Sequence, residues 1–291
     1  MRWQTWVAFA ALCVWAASGW LLSPTSNALP GLERQALGFA AIAAVTTALG
    51  GLSMPQERWR RWVAVAAGST LFFAIPTILL ETAKEYSPET SVSLIFALAP
   101  VVTVLVWNAF VQPSAMRQLV PALMGVAGLL LLLPFEMPVS ARSWSALAEV
   151  FVAMVLVAAA GVWLHKRLRD VHAMEALAVA GVSNAVVLLT WCAVHGMLDW
   201  RWRDIAAGVA WQGAVSAALV AVEVWLLREI PPVGFSVRFL LIPLVTILEG
   251  AVLLRPEITG RILVGFLLLT GGAVWVLAGR GQVDEEVLTL R

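Results

Sequence analysis

The sequence predicts an all-α polytopic membrane protein with ten transmembrane helices arranged as two inverted five-helix repeats. Three observations predict it. Of 291 residues, 61% are hydrophobic and 13% charged, with mean hydropathy +0.87, whereas soluble domains carry about 25% charged residues. The apolar residues fall into ten runs separated by charged or Pro/Gly breaks. The pattern of the first half also returns in the second: Pro88 aligns with Pro232 at an offset of 144, Pro100 with Pro243 at 143, and Gly68 with Gly213 at 145. The predicted halves are residues 1–140 and 141–282, followed by a short cytoplasmic tail, 283–291.

The runs are read as helices because a backbone in lipid must pair its polar groups within its own segment. None shows the alternating pattern of a barrel strand. The first run, 5–22, follows Arg2 and has the outline of a signal peptide. Nine more runs follow it, so it is read as an uncleaved span. The second is 32–52. The third, 62–80, follows a basic stretch and carries Pro76, and the fourth, 90–111, carries Pro100. The fifth, 118–134, is punctuated by glycine. The sixth, 146–164, stops at "HKRLRD", the most basic break in the chain. The seventh, 174–196, holds Asn184 and His195, polar residues expected to hydrogen-bond between helices. The eighth and ninth, 205–227 and 232–254, hold the charges discussed below, and 261–279 is again glycine-punctuated.

Of the 19 Lys and Arg residues, 11 fall in one set of alternate loops and 7 in the other, with Arg238 inside a span. That bias places both termini in the cytoplasm. Five helices per half is an odd number, so the second half lies upside down relative to the first. Inverted repeats are a signature of secondary transporters, whose substrate site lies near the midplane where the halves meet. A mid-span proline removes a backbone hydrogen bond and kinks its helix, so Pro76, Pro100 and Pro243 are predicted hinges.

Several function classes drop out. A net charge of +1 leaves no nucleic-acid footprint. The two cysteines, Cys13 and Cys192, lie in apolar runs and read as small buried residues, without a disulfide framework or a metal site. The chain has no GxSxG, HExxH or P-loop. No enzyme, no cofactor and no ATP-driven step are therefore expected.

The stretch "FSVRFLLIPLVTILEGAVLL" is long and apolar enough to span, yet contains Arg238 and Glu249. A charge at mid-span costs about 3 kcal/mol on insertion scales. Eleven residues turn a helix about 1100°, so both charges share one face about 16 Å apart. They cannot touch, and each needs its own partner. The first repeat has only apolar residues at the equivalent positions, near Leu94 and at Leu105–Val106, so the scaffold does not require charge there. Snorkelling to the interface is the bland alternative for both. The functional reading gives Arg238 a substrate carboxylate, and gives Glu249 a proton or a substrate ammonium. It predicts that Glu249→Gln keeps ligand binding and loses pH-dependent flux. Glu223, within about a turn of its helix end, is a third candidate for substrate binding or coupling, with pairing to Arg228 as its alternative.

The same residues resemble the drug/metabolite transporter superfamily, specifically its EamA-domain permeases. The family's repeat closes with a proline-bearing helix, a short loop often holding Glu, and a glycine-punctuated last helix. Here Pro243, Glu257, Gly265 and Gly271–Gly272 follow that pattern, as do Pro100, Gly125 and Gly128. The first half has "VQPSA" in place of the loop glutamate, and Ala16 stands where the family's opening motif has glycine. The resemblance implies a bacterial-type inner-membrane location and a central cavity lined by helices 1, 3, 4, 6, 8 and 9. It also implies homodimer contacts through helices 5 and 10. Trp15, Trp163 and Trp225 lie on those cavity helices, where they could stack on a ligand; lipid or core packing is the alternative for each. Other tryptophans, Trp200 and Trp202 among them, fall where interface belts are expected.

The expected activity is secondary transport of small polar metabolites such as amino acids by alternating access, with export favoured by resemblance and proton coupling through Glu249 and Glu223. The expected partners are the small-molecule substrate and the lipid bilayer. A lipophilic-drug exporter or lipid-linked-sugar flippase is the rival within transport, and a non-transporting membrane scaffold is the rival outside it.

Overall fold

A computed structural model of the chain describes residues 3–19, 31–49, 59–111, 113–134, 136–197, 214–254 and 259–279. Glu257, Trp200, Trp202, the tail 283–291 and the start of the predicted eighth span lie outside the described residues. Most of those described are helical and fall into ten rods: α1 (Trp3–Ala17), α2 (Gly31–Ala48), α3 (Trp59–Ala83), α4 (Glu89–Phe110), α5 (Leu119–Leu132), α6 (Ala141–Leu168), α7 (Ala173–Val194), α8 (Ala214–Glu229), α9 (Pro232–Leu254) and α10 (Gly260–Ala278). Six of them, α3, α4, α6, α7, α9 and α10, are long and apolar enough to cross a membrane, while α1 and α5 are shorter apolar helices.

The sixth helix outruns its predicted bounds of 146–164 at both ends. Ser140 caps its start, the Oγ accepting the Ser143 N–H at 3.1 Å, which satisfies a donor that the first turn cannot. At the other end the helix continues to Leu168 through residues expected to form a loop. His165 is buried there, its Nδ1 2.6 Å from the Leu227 carbonyl of α8.

Two of the predicted proline sites produce visible interruptions, and the third stays within its helix. α3 contains a π-helical turn at Thr70–Ala74, closed by the Ile75 N–H on the Thr70 carbonyl. Pro76 follows it and has no N–H to restore the regular ladder. Asn184 of α7 supports the turn: its Oδ1 accepts the Ala74 N–H at 3.1 Å and its Nδ2 donates to the Ala180 carbonyl at 2.8 Å. The expected interhelical role of Asn184 is thus met. His195 differs: it stacks on Trp191 and bonds the Trp191 carbonyl, one turn back on its own chain segment. Replacing Asn184 by leucine leaves the buried Ala74 N–H without an acceptor and is expected to cost about 1–3 kcal/mol, readable as a lower unfolding midpoint in detergent.

α4 breaks at Ala97–Leu98, just before Pro100, and α9 breaks at Val237. Both breaks tighten into a three-residue turn, Leu98 N–H to Ile95 O and Leu240 N–H to Val237 O. Pro243 sits inside the longer segment of α9. Pro88 and Pro231 cap the two helices with the same extended backbone, ψ 142° in each. The structural counterpart of Pro88 is therefore Pro231, one residue before the Pro232 aligned by sequence.

Most helix pairings survive exchange of each helix for the one five places on, the exceptions being α6–α8, α6–α9, α5–α9 and α8–α9. α2–α7, α5–α10 and α4–α9 are their own counterparts; α3–α6 matches α8–α1, α4–α6 matches α9–α1, α3–α7 matches α8–α2, and α4–α5 matches α9–α10. α5 and α10 touch backbone to backbone. A Cβ on Gly272 would lie 2.6 Å from both the Gly125 nitrogen and the Pro121 oxygen, and one on Gly128 would collide with the Leu269 nitrogen. Small residues allow such approach, which replaces the missing hydrophobic drive between helices in lipid.

Candidate functional site

Arg238 opens the second segment of α9, directly after the break at Val237. Its side chain is buried in the bundle, the residue being 6% exposed. Its Nη1 lies 3.5 Å from Oε1 of Glu223 on α8. Three rings surround the guanidinium: Phe235 at 3.9 Å from the ring centre, Phe239 at 4.7 Å and Phe72 at 5.4 Å. Further rings back these, Phe9 behind Phe235, Phe73 behind Phe72 and Phe96 behind Phe239. The cavity beside Arg238, bounded by Phe72, Thr103, Gly161, Leu227 and Ser236, has a volume of about 10 Å³, room for roughly one water.

The electrostatics follow from that arrangement. Rings facing a cation each contribute about 0.5–2 kcal/mol, and a guanidinium is weakly hydrated and tolerates such packing. Taking two charges out of water costs several kcal/mol per ion, and the pair offsets this only with further hydrogen bonds. Here Nη1 has no hydrogen bond, and its contact with Glu223 is longer than a good one. The guanidinium keeps unspent donor capacity toward an anion.

The structure therefore joins two of the sequence candidates, Arg238 and Glu223, and answers the choice between snorkelling and burial for Arg238: it is buried and paired. Glu223 pairs with Arg238, not with Arg228, whose Nη1 bonds the Val171 carbonyl at 3.2 Å. Glu249 lies apart, near the far end of α9, where Oε1 accepts a 2.5 Å hydrogen bond from Ser18 Oγ beyond the end of α1. Trp15, Trp163 and Trp225 are all exposed, at 42%, 36% and 37%, and none is among the rings that face Arg238. Trp163 packs on α3 at Gly68. The aromatic surround is phenylalanine. A signal for it is present in "GFSVRF", where Phe235 stands one turn before Arg238 and Phe239 beside it.

Two open crevices lie at opposite ends of the antiparallel α3–α6 pair, with the Arg238 cavity between them. One, of about 460 Å³, is bounded by Thr82, Tyr86, Arg142 and Glu149. The other, of about 290 Å³, is bounded by Arg61, Trp62, Arg169, His172 and Arg228. In the first, Arg142 lies over the Tyr86 ring at 4.4 Å, and Thr82 donates to Glu149 at 2.8 Å.

No family model and no curated protein matches the chain. Its fold is similar to that of a solved structure described as "Crystal structure of protein", with a TM-score of 0.69 and 22% identity over 94% of this chain and 96% of that one. A likeness at that identity shows the fold alone.

Proposed function

We propose that this chain is a secondary transporter of small polar metabolites, working by alternating access around Arg238. One observation carries the reading: a charged, ring-enclosed arginine with unspent donors, buried between crevices at both ends of the bundle. A buried ionisable group in an apolar helical bundle marks a substrate or ion pathway by default. The exchange-related helix pairings and the two broken helices α4 and α9 support the further reading of ten spans as two inverted repeats. In that reading the chain is an EamA-type permease of the drug/metabolite transporter superfamily, in a bacterial-type inner membrane with both termini cytoplasmic.

Arg238 holds a substrate carboxylate by charge-assisted bonds. The turns at Ala97–Leu98 and Val237, with the π-turn of α3, are the points where the helices flex. Glu249 bonds to Ser18 across α9 and α1, helices of different repeats, and so serves as a tie at one end of the path. Glu249→Gln keeps an acceptor for Ser18 and is expected to fold normally. Loss of pH-dependent flux in that variant assigns the proton step to Glu249; unchanged pH dependence removes it from coupling.

The test is reconstitution in liposomes exposed to a pooled cell-metabolite extract, with trapped solutes compared by mass spectrometry against protein-free vesicles. Enrichment of one or a few small polar compounds is the expected result. No enrichment, with lipid headgroups flipping instead, moves the assignment to the flippase reading.

A further inference from the structure

We propose that Glu223 is the proton-binding group of the site, and that it takes up one proton when a carboxylate without an ammonium group displaces it from Arg238. The inference rests on the reading of Arg238 as the carboxylate-binding residue.

The geometry leaves room for one anion at a time. Three phenylalanine rings cover faces of the guanidinium, the adjoining cavity admits about one water, and Glu223 occupies the approach at 3.5 Å. A carboxylate reaching Nη1 must therefore push Glu223 aside. Glu223 is half-buried, its side chain 23% exposed, and its neighbours on α8 are the buried residues Val220, Val224, Leu226 and Leu227. An ionised carboxylate left there without its partner costs several kcal/mol, whereas a protonated one does not.

The other titratable groups offer Glu223 no replacement cation. From α1 comes Cys13, a thiol within electrostatic reach of both Arg238 and Glu223. From α6 comes His165, whose Nδ1 is engaged by the Leu227 carbonyl. α2 meets α8 at Gly38 against Ser216, and its charged residues Glu33 and Arg34 lie in its first turn. Glu175 and Cys192 lie near the two ends of α7. On α8 itself, Arg228 bonds the Val171 carbonyl, and Glu229 is an acid. α9 contributes Arg238, and Glu249 lies eleven residues further along.

A coupling rule follows from charge balance. The empty site is neutral with Arg238 and Glu223 paired. The loaded site is neutral with the substrate carboxylate on Arg238 and the proton on Glu223. Proton without substrate leaves a buried positive charge, and substrate without proton leaves a buried negative one, so neither crosses the closed state. The proton adds to a Glu223 carboxylate oxygen on loading and leaves it on release; no other bond changes. Substrate anion and proton then travel together, toward the alkaline side of the membrane. Under an acid-outside gradient this is import, the reverse of the direction that the family resemblance implies. A zwitterion differs: its own ammonium can pair with Glu223, and no proton is needed.

The matched probes 4-methylpentanoate and L-leucine differ only by that ammonium group. Calorimetric titration of purified protein in two buffers of different ionisation enthalpy counts the protons exchanged on binding. The expected result is about one proton taken up with 4-methylpentanoate and none with L-leucine, and an affinity for 4-methylpentanoate that falls about tenfold per pH unit. In Glu223→Gln the expected count is zero and the affinity is independent of pH. Wild-type binding of 4-methylpentanoate without proton uptake overturns the proposal, as does uptake retained in Glu223→Gln or no binding of either probe. The wild-type proton count stands even if that variant fails to fold. Because binding is measured without vesicles, a failure of transport in liposomes is seen separately from a failure of this linkage.

Discussion

Replacing Glu223 by leucine, with Arg238 left in place, is expected to lower stability by about 3–5 kcal/mol, because a buried guanidinium then faces rings and no counter-charge. Glu223 is the ion partner of Arg238 among the described residues, and the neighbouring cavity is too small to supply more than about one water. Adding Arg238→Met to Glu223→Leu is expected to recover most of the loss, since two apolar side chains of similar size fill the same space without desolvating charge. The measurement is the unfolding midpoint of both variants in one detergent. A single variant as stable as the double breaks the coupling between the two residues. The double variant is expected to lack substrate binding, since it has no arginine at 238, so its recovered stability separates the architecture of this site from its function.

The second large effect lies far from the site. Gly272→Leu is expected to prevent α10 from seating on α5, because even its Cβ meets the Gly125 nitrogen and Pro121 oxygen at 2.6 Å. Backbone cannot rotate away as a side chain can, so the helices must part. Ordinary overpacking costs about 1–3 kcal/mol, and this contact is expected to exceed that range. Gly271 is the internal control: nothing lies within 4 Å of a Cβ built there, and Gly271→Leu is expected to fold as the wild type does. Yield of monodisperse protein from detergent reads both. Equal behaviour of the two variants contradicts the α5–α10 packing.

The helices were legible because their signal is composition over whole segments. Apolar runs mark lipid-facing or buried length whatever their neighbours do, and all ten predicted runs coincide with helical rods at least in part. Ends were less legible where a tertiary contact decides them, as His165 does by docking on the Leu227 carbonyl. The site divides along the same line. A charge in a span is visible in one sequence, so Arg238, Glu223 and Glu249 stood out. Which charge meets which depends on the crossing of α8 and α9 and on the break at Val237, which no periodicity encodes. The phenylalanine surround was hidden for a similar reason. Phe72 arrives from α3, across the bundle, and phenylalanine in an apolar run looks like any core residue. Tryptophan drew the eye instead, and Trp15, Trp163 and Trp225 are exposed on their helices.

The central claim is that Arg238 holds the transported compound. Its most direct test takes the solute that wild-type liposomes enrich from the metabolite extract and measures its initial flux with Arg238→Gln in the same vesicles. Glutamine keeps hydrogen-bonding groups and removes the charge, and native-like sedimentation of the variant controls for folding. The account predicts that flux falls to the level of protein-free vesicles. Flux equal to wild type in a folded Arg238→Gln protein contradicts it.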